Sequence, residues 1–360
     1  MLTAPSSEGA GNYVVFLPPS DEGGGFCGAK DGWREVFVKT LFIEKLNNDE
    51  KRSRDMELCF APLEGITTYT YRNTHAQVFG GCDVYYAPFI TPSDNEKLSL
   101  KSLRDIVPEK NRVERLVPQV LTNRGDSFLK FEEKIRELGY DQVNINIGCP
   151  SGTVVKKNRG ADFLRDPEGI EQFLDRVFEK SELKISVKTR TGFSSHEEFG
   201  RILEIYNKYQ MESLIVHPRT RADFYNGEPN MELFCRAYKE SSNRLCYNAN
   251  VFSVEDFKKI EADFPNLSGV MIGRGAIANP AIFREIKGGK PLEVRELIEF
   301  TNLLAERYLE VLGSEVYTLH KLKEIWMYTM WTFPEEKKIL KAIKKSNKLP
   351  DLLGAIKGLL

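Results

Sequence analysis

Between residues 58 and 272 the chain alternates short apolar runs with longer amphipathic ones, and this alternation restricts the fold more than any other property. Runs rich in branched and aromatic residues are expected as strands at 58–62, 83–87, 115–120, 142–147, 184–189, 213–217, 244–247 and 269–272. Helical apolar spacing falls between most of them, at 69–79, 126–138, 167–179, 196–209, 231–239 and 254–263. Asp166-Pro167 and Ser253-Val254-Glu255-Asp256 read as helix starts, each a capping side chain followed by early acids. Eight strands separated by helices predict an α/β chain forming a (β/α)8 TIM barrel, which takes roughly 250 residues. Alternation alone leaves a doubly wound sheet open, because it does not fix closure.

The flanks differ from this middle. Residues 1–55 are crowded with Gly and Pro early and with charges late, which predicts a poorly defined N-terminal extension and a folded unit starting at Met56. Beyond Pro291 the strand pattern stops, and helical spacing at 297–312, 318–331, 335–345 and 352–360 predicts an all-helical C-terminal domain. The expected division is therefore 1–55, a barrel at 56–289 and a helical domain at 290–360. From Lys337 onward seven lysines face one acid, Asp351, a local excess of six. The long stretch 90–113 is expected to carry function or a short helix.

A formal net charge of −1 argues against a protein that coats nucleic acid, while permitting a local basic face. No apolar run reaches the ~18 residues of a membrane-spanning helix, and the N-terminus shows no signal-peptide pattern. The six cysteines are scattered without short paired spacings, so neither a disulfide framework nor a metal site is expected. A reducing cytoplasm fits this usage.

Chemistry is expected at the carboxyl ends of the strands, which converge on one mouth in a barrel. Val143-Asn144-Ile145-Asn146-Ile147 reads as a buried strand, and Gly148-Cys149-Pro150 turns the chain sharply to present a thiol at its end. Lys156, Lys157 and Arg159 follow at once. Pro62, Leu63 and Glu64 end the first strand, Gln119 the third and Asn146 the fourth. Lys188 and Arg190 end the fifth, His217 and Arg219 the sixth, Asn248 and Asn250 the seventh. Gly273-Arg274-Gly275 closes the eighth. A lysine in a strand buried under helices needs an anionic partner. A guanidinium beside glycines suits a phosphate. With Gln119 and Asn248, these residues point to a phosphorylated planar cofactor lying across the mouth.

The segment from Val143 to Ala161, with Gly-Cys-Pro and the later Gly160-Ala161, resembles the signature of the tRNA dihydrouridine synthases, flavin enzymes that reduce uracil in tRNA. Ala61-Pro62-Leu63-Glu64-Gly65-Ile66-Thr67, Val187-Lys188-Thr189-Arg190, His217-Pro218-Arg219-Thr220 and Ile272-Gly273-Arg274-Gly275 match in family order. The resemblance spans about residues 56–350, and in this family the helical domain helps to hold tRNA.

By that resemblance, Pro62, Leu63, Glu64, Gln119, Lys188, His217, Asn248, Ala249, Asn250, Gly273 and Arg274 line an FMN site. Cys149 is the general acid. Asn146, Lys156, Lys157, Arg159 and Arg190 meet the tRNA. The chain departs from the family where Thr68 replaces a frequent Asp, where Asn248-Ala249-Asn250 replaces Asn-Gly-Asp or Asn-Gly-Glu, and at Arg159, where a small residue is common. The implied reaction uses NADPH (or NADH) to reduce FMN, then passes hydride to C6 of a uracil while Cys149 protonates C5. A thiol with an ordinary pKa of ~8.5 is mostly protonated at neutral pH, as an acid must be. The resemblance brings no membrane, metal or obligate protein partner with it. An FMN-dependent dehydrogenase of free pyrimidines, of the dihydroorotate or dihydropyrimidine type, is the nearest alternative, but lacks the basic helical domain. A non-catalytic RNA-binding module is the other, and it would purify colourless.

Overall fold

Pro118 governs how the sheet closes. The computed structural model describes residues 56–92, 103–155 and 157–360. Within them, nine short strands run parallel: β1 (Glu57–Phe60), β2 (Val84–Tyr86), β3 (Leu116–Val117), β4 (Gln119–Val120), β5 (Gln142–Ile147), β6 (Lys184–Arg190), β7 (Ser213–His217), β8 (Leu245–Tyr247) and β9 (Gly269–Ile272). Their order in the sheet is β3-β2-β1-β9-β8-β7-β6-β5-β4. The two ends of that order, β3 and β4, are separated by Pro118 alone. Proline has no amide hydrogen for a ladder, so it cuts one extended stretch into two assigned strands. Tyr86 pairs with Val117 on one side and Gln119 with Asn144 on the other. The Pro118 carbonyl still accepts from the Asn144 amide at 2.9 Å, and Ile90 bonds on both sides of Val120, from its amide to the Gln119 carbonyl (2.8 Å) and from its carbonyl to the Leu121 amide (2.9 Å). The ring is closed with eight staves, a TIM barrel.

Side chains alternate across each strand. Cys59, Val84, Tyr86, Ile215, Cys246 and Met271 form a small apolar cluster, as inward positions of a barrel do. Their neighbours Leu58, Phe60, Tyr85, Leu214 and Val216 belong instead to the large core beneath the helices. On the β4–β6 side the inward row is polar: Gln119, Asn144, Asn146, Ser186 and Lys188. That polar row leads up to the mouth.

Strands β5, β7 and β9 have the spans the sequence predicts, and most others differ by a residue or two at an end. Asp166 caps its helix through Gly169 N at 2.9 Å, and Ser253 and Asp256 form a reciprocal capping box. The helix expected at 196–209 is shorter. It begins as a 3₁₀ turn, His196–Glu198, and continues as Phe199–Tyr206. Stretch 90–113 holds a 3₁₀ turn at Pro108–Lys110, while its residues 93–102 and the extension 1–55 lie outside the described residues.

Four helices follow the barrel: Val294–Leu312, Glu315–Thr329, Lys337–Lys345 and Leu349–Lys357. Gly313, with φ +63°, makes the left-handed turn that ends the first. Their apolar faces continue the barrel's outer core instead of forming a core of their own. Phe300 packs edge-on against Tyr71 (5.6 Å) and Phe79 (5.0 Å). Among the described residues no helix is long and apolar enough to cross a membrane, and no group of three or more His, Cys, Asp or Glu side chains is placed to hold a metal ion.

Candidate active site

The thiol is presented by a turn that Asn146 organises. Its side-chain oxygen accepts the amides of Gly148 (3.0 Å) and Cys149 (2.9 Å), bending the chain as it leaves β5. The other half of that amide donates to Gln119 Oε1 at 2.8 Å, and Gln119 Nε2 donates to Asn144 Oδ1 at 2.7 Å. Asn144 in turn donates to Ser186 Oγ at 2.9 Å. A polar chain thus runs across β4, β5 and β6 and ends under Cys149. Gly160 and Ala161 back the same loop. The Ala161 amide donates to the Cys149 carbonyl at 3.0 Å, and Gly160 adopts φ +58°. A Cβ on Gly160 would stand 2.8 Å from that carbonyl, so the loop requires glycine there.

Cys149 is half-buried. Burial pushes its thiol above the ordinary value. The Ser151 amide draws it partly back, Glu64 adds to the rise, and Lys188 and Arg190 oppose it. The net effect keeps the sulfur protonated. Lys188 stands on the neighbouring strand in register with Asn146. Burial lowers its pKa to about 8, with Arg190 adding to the effect, and among the described residues no carboxylate pairs with it. An amine held at the mouth without a carboxylate is a receptor for negative charge.

His217 ends β7 and is buried. Burial, then Arg190, Lys188, Arg219 and Arg274, hold its pKa well below the usual imidazole range, so the ring is neutral. Arg219 donates to His217 Nε2 at 3.1 Å. A guanidinium cannot accept, so Nε2 carries the lone pair and the proton sits on Nδ1. Asn248 donates to the Met271 carbonyl at 2.8 Å, and among the described residues its amide oxygen has no hydrogen-bond donor. Asn250 accepts from Arg274 at 3.2 Å and from Arg219 at 3.4 Å. Gly273 approaches the β1 end so closely that a Cβ would meet Ala61 Cβ at 3.3 Å and Leu63 Cδ1 at 3.7 Å. Pro62 and Leu63 are half-exposed and Glu64 exposed, on a turn where the Thr67 hydroxyl accepts from the Leu63 amide at 2.8 Å.

Most residues singled out in the sequence converge here, but several differ from expectation in what they touch. Gln119 is wholly buried, with both ends of its amide engaged by Asn144 and Asn146, so it floors the mouth. Ala249 packs against the apolar core, which leaves its backbone as the part able to meet a cofactor. Arg190, expected at the tRNA, is 1 % exposed. It donates to the carbonyls of Gly148 (3.0 Å), Thr220 (2.8 Å) and Phe224 (2.7 Å), fastening the Cys149 loop to the loop after β7. Lys157 is exposed and Arg159 half-exposed on the thiol's loop, while Lys156 falls outside the described residues.

Arg219, named with His217 at the sixth strand's end in the sequence, is 1 % exposed and sets the tautomer of that histidine. The rings around Arg274 escaped the sequence reading. Tyr225, Phe252 and Trp331 surround the Arg274 guanidinium at 4.7, 5.9 and 6.0 Å. The aromatic residues come from three separate segments and carried no local signal.

The family model described as dihydrouridine synthase matches residues 59–352. The chain is 28% identical over 265 residues to tRNA-dihydrouridine synthase B of Pseudomonas aeruginosa, covering 71% of this chain and 77% of that one. It is 28% identical over 321 residues to tRNA-dihydrouridine(16) synthase of Shigella flexneri, covering 84% and 98%. With tRNA-dihydrouridine synthase B of Pasteurella multocida it shares 30% identity over 62% of this chain and 67% of the other. A match that runs from β1 into the last helix takes in both the thiol-bearing loop and the helical region, and on that ground the chain belongs to the dihydrouridine synthase family.

Proposed function

We propose that this chain reduces the C5–C6 double bond of uridines in tRNA to 5,6-dihydrouridine, with FMN as the resident cofactor and NADPH (or NADH) as reductant. The observation that carries the reading is the pairing at the mouth of a protonated thiol, Cys149, with a lysine that no described carboxylate neutralises, Lys188. The first suits a proton donor and the second a site for electron-rich oxygen or nitrogen on a flat ring.

The residues present fit FMN. Among the described residues Arg274 commits one N–H, to Asn250, the Gly273 cradle would be filled by any side chain, and Lys188 lies close enough to Cys149 for the two to interact electrostatically. FMN, when bound and reduced, supplies the hydride for C6 of the uracil. The chain's own part is to orient and to move one proton. Lys188 would hold negative charge on the isoalloxazine, and His217, with its proton on Nδ1, would be a neutral donor beside it. Cys149 gives its proton to C5, which takes up the electron pair left by addition at C6. Reaching that site requires the target base to leave its stack, at a cost of a few kcal/mol. Lys157, Arg159 and the lysines of Lys337–Lys345 offset it through phosphate contacts. In this reading, residues 56–289 carry cofactor and chemistry and 290–360 orient the RNA. The five described cysteines are all free thiols, in keeping with a reducing cytoplasm.

The test is direct. Purified protein should be yellow, and incubation with NADPH and unmodified tRNA should form dihydrouridine, with little turnover of uridine or uracil. Turnover of free uracil at the rate of tRNA would transfer the chain to the free-pyrimidine dehydrogenases, and colourless protein would end the flavin reading.

A further inference from the structure

Three arginines ring the mouth, and they are held in different ways. Arg190 and Arg219 have their guanidinium groups tied to backbone carbonyls, the first to Gly148, Thr220 and Phe224, the second to Asn226 (3.3 Å) and Gly227 (2.5 Å). Arg274 is held otherwise. Its hydrogen bond among the described residues is the one to Asn250 Oδ1 at 3.2 Å. Ring faces do the rest, from Tyr225 at 4.7 Å, Phe252 at 5.9 Å and Trp331 at 6.0 Å. An aromatic face attracts a cation through its quadrupole and takes up none of the in-plane N–H groups. The guanidinium is therefore oriented while most of its donors stay available to an anion.

Trp331 comes from the helical region, not the barrel. It is 48 % exposed and lies 5.9 Å from the Phe252 ring and 5.1 Å from that of Tyr328. Independent bonds fix its position. Thr329 Oγ1 donates to the Ile277 carbonyl at 3.1 Å and Thr332 Oγ1 to the Ala278 carbonyl at 2.8 Å. Both carbonyls belong to the short helix Arg274–Ala278, which Arg274 itself begins. The helical region thus grips the arginine at its side chain and at its backbone.

We infer that Trp331 is a positioning residue for the cofactor phosphate: with Phe252 and Tyr225 it pre-orients Arg274, so that retention of FMN depends on the docked helical region. The inference rests on the flavin reading above and concerns a residue that reading did not use.

Riboflavin, which lacks the phosphate, separates this role from a general one. In full-length apoprotein, Trp331→Leu should weaken FMN binding by roughly five- to tenfold, measured by quenching of flavin fluorescence. Riboflavin binding should be unchanged, which also reports that the fold is intact. Trp331→Phe should recover most of the FMN affinity, and Phe252→Leu, on the barrel side of the cage, should repeat the phosphate-specific loss. Unaltered FMN affinity in Trp331→Leu, or equal weakening of FMN and riboflavin, overturns the inference. An unsubstituted apoprotein that binds neither ligand removes the flavin reading and this inference together.

Discussion

In the proposed reaction two groups decide the chemistry, Cys149 on the turn after β5 and Lys188 on β6, and their environments drive them in useful directions. Burial raises the thiol, so a proton is present to give. Cys149→Ala should retain flavin and its yellow colour yet lose at least about 100-fold in tRNA reduction, the usual contribution of a general acid. Undiminished turnover in single-cycle assays would remove the role. The sign of the pH dependence follows. An acid must be protonated, so the rate of tRNA reduction should hold level through neutrality and fall only as pH passes the thiol's raised value. Lys188 behaves oppositely in the apoprotein, losing its charge as pH rises through about 8. An electron-rich ligand beside it favours the charged form, so flavin affinity should decline above that pH, and Lys188→Met should abolish the decline. A titration of FMN affinity between pH 7 and 9.5 reads both.

At the scale of elements, the loop from Cys149 to Ala161 holds the most information per residue. Gly160 meets two demands at once, a positive φ and close approach to the Cys149 carbonyl. Gly160→Ala should cost about 1–3 kcal/mol and displace the thiol. Thermal unfolding gives the first effect, and a fall in tRNA reduction larger than any fall in FMN affinity gives the second. This loop was legible in the sequence because its strand, turn and glycine are contiguous. So were β5, β7 and β9, whose apolar runs are bounded by clear turn residues. The third stave was read as one strand, since periodicity does not register that Pro118 lacks a donor. Arg190 was expected at the RNA. Nothing local announces that three carbonyls from two loops will enclose it. The ring cage around Arg274 was illegible for the same reason, being assembled by tertiary packing from distant segments.

Over the whole molecule, charge is nearly balanced, yet it is unevenly placed. Lys337, Lys338, Lys341, Lys344, Lys345 and Lys348 are all exposed near the end of the chain. If they meet phosphates, replacing three by Gln should weaken tRNA binding and flatten the slope of log K against log salt by about 0.7–0.9 for each phosphate that is no longer neutralised. A filter-binding series at several salt concentrations reads the slope, and an unchanged slope would place the RNA elsewhere. The apolar faces of the helical region continue the barrel's core, so one cooperative unfolding transition is expected in calorimetry. The barrel's own weakest tie lies at Pro118. A hoop whose third stave lacks one donor, at Pro118, will breathe there first, and that stave carries Gln119, the floor of the mouth. Deuterium should therefore enter at the amides of Gln119 and Ile90 before it reaches those shared by β5 and β6, so that the vessel loosens at its seam while the wall bearing the sulfur stays tight.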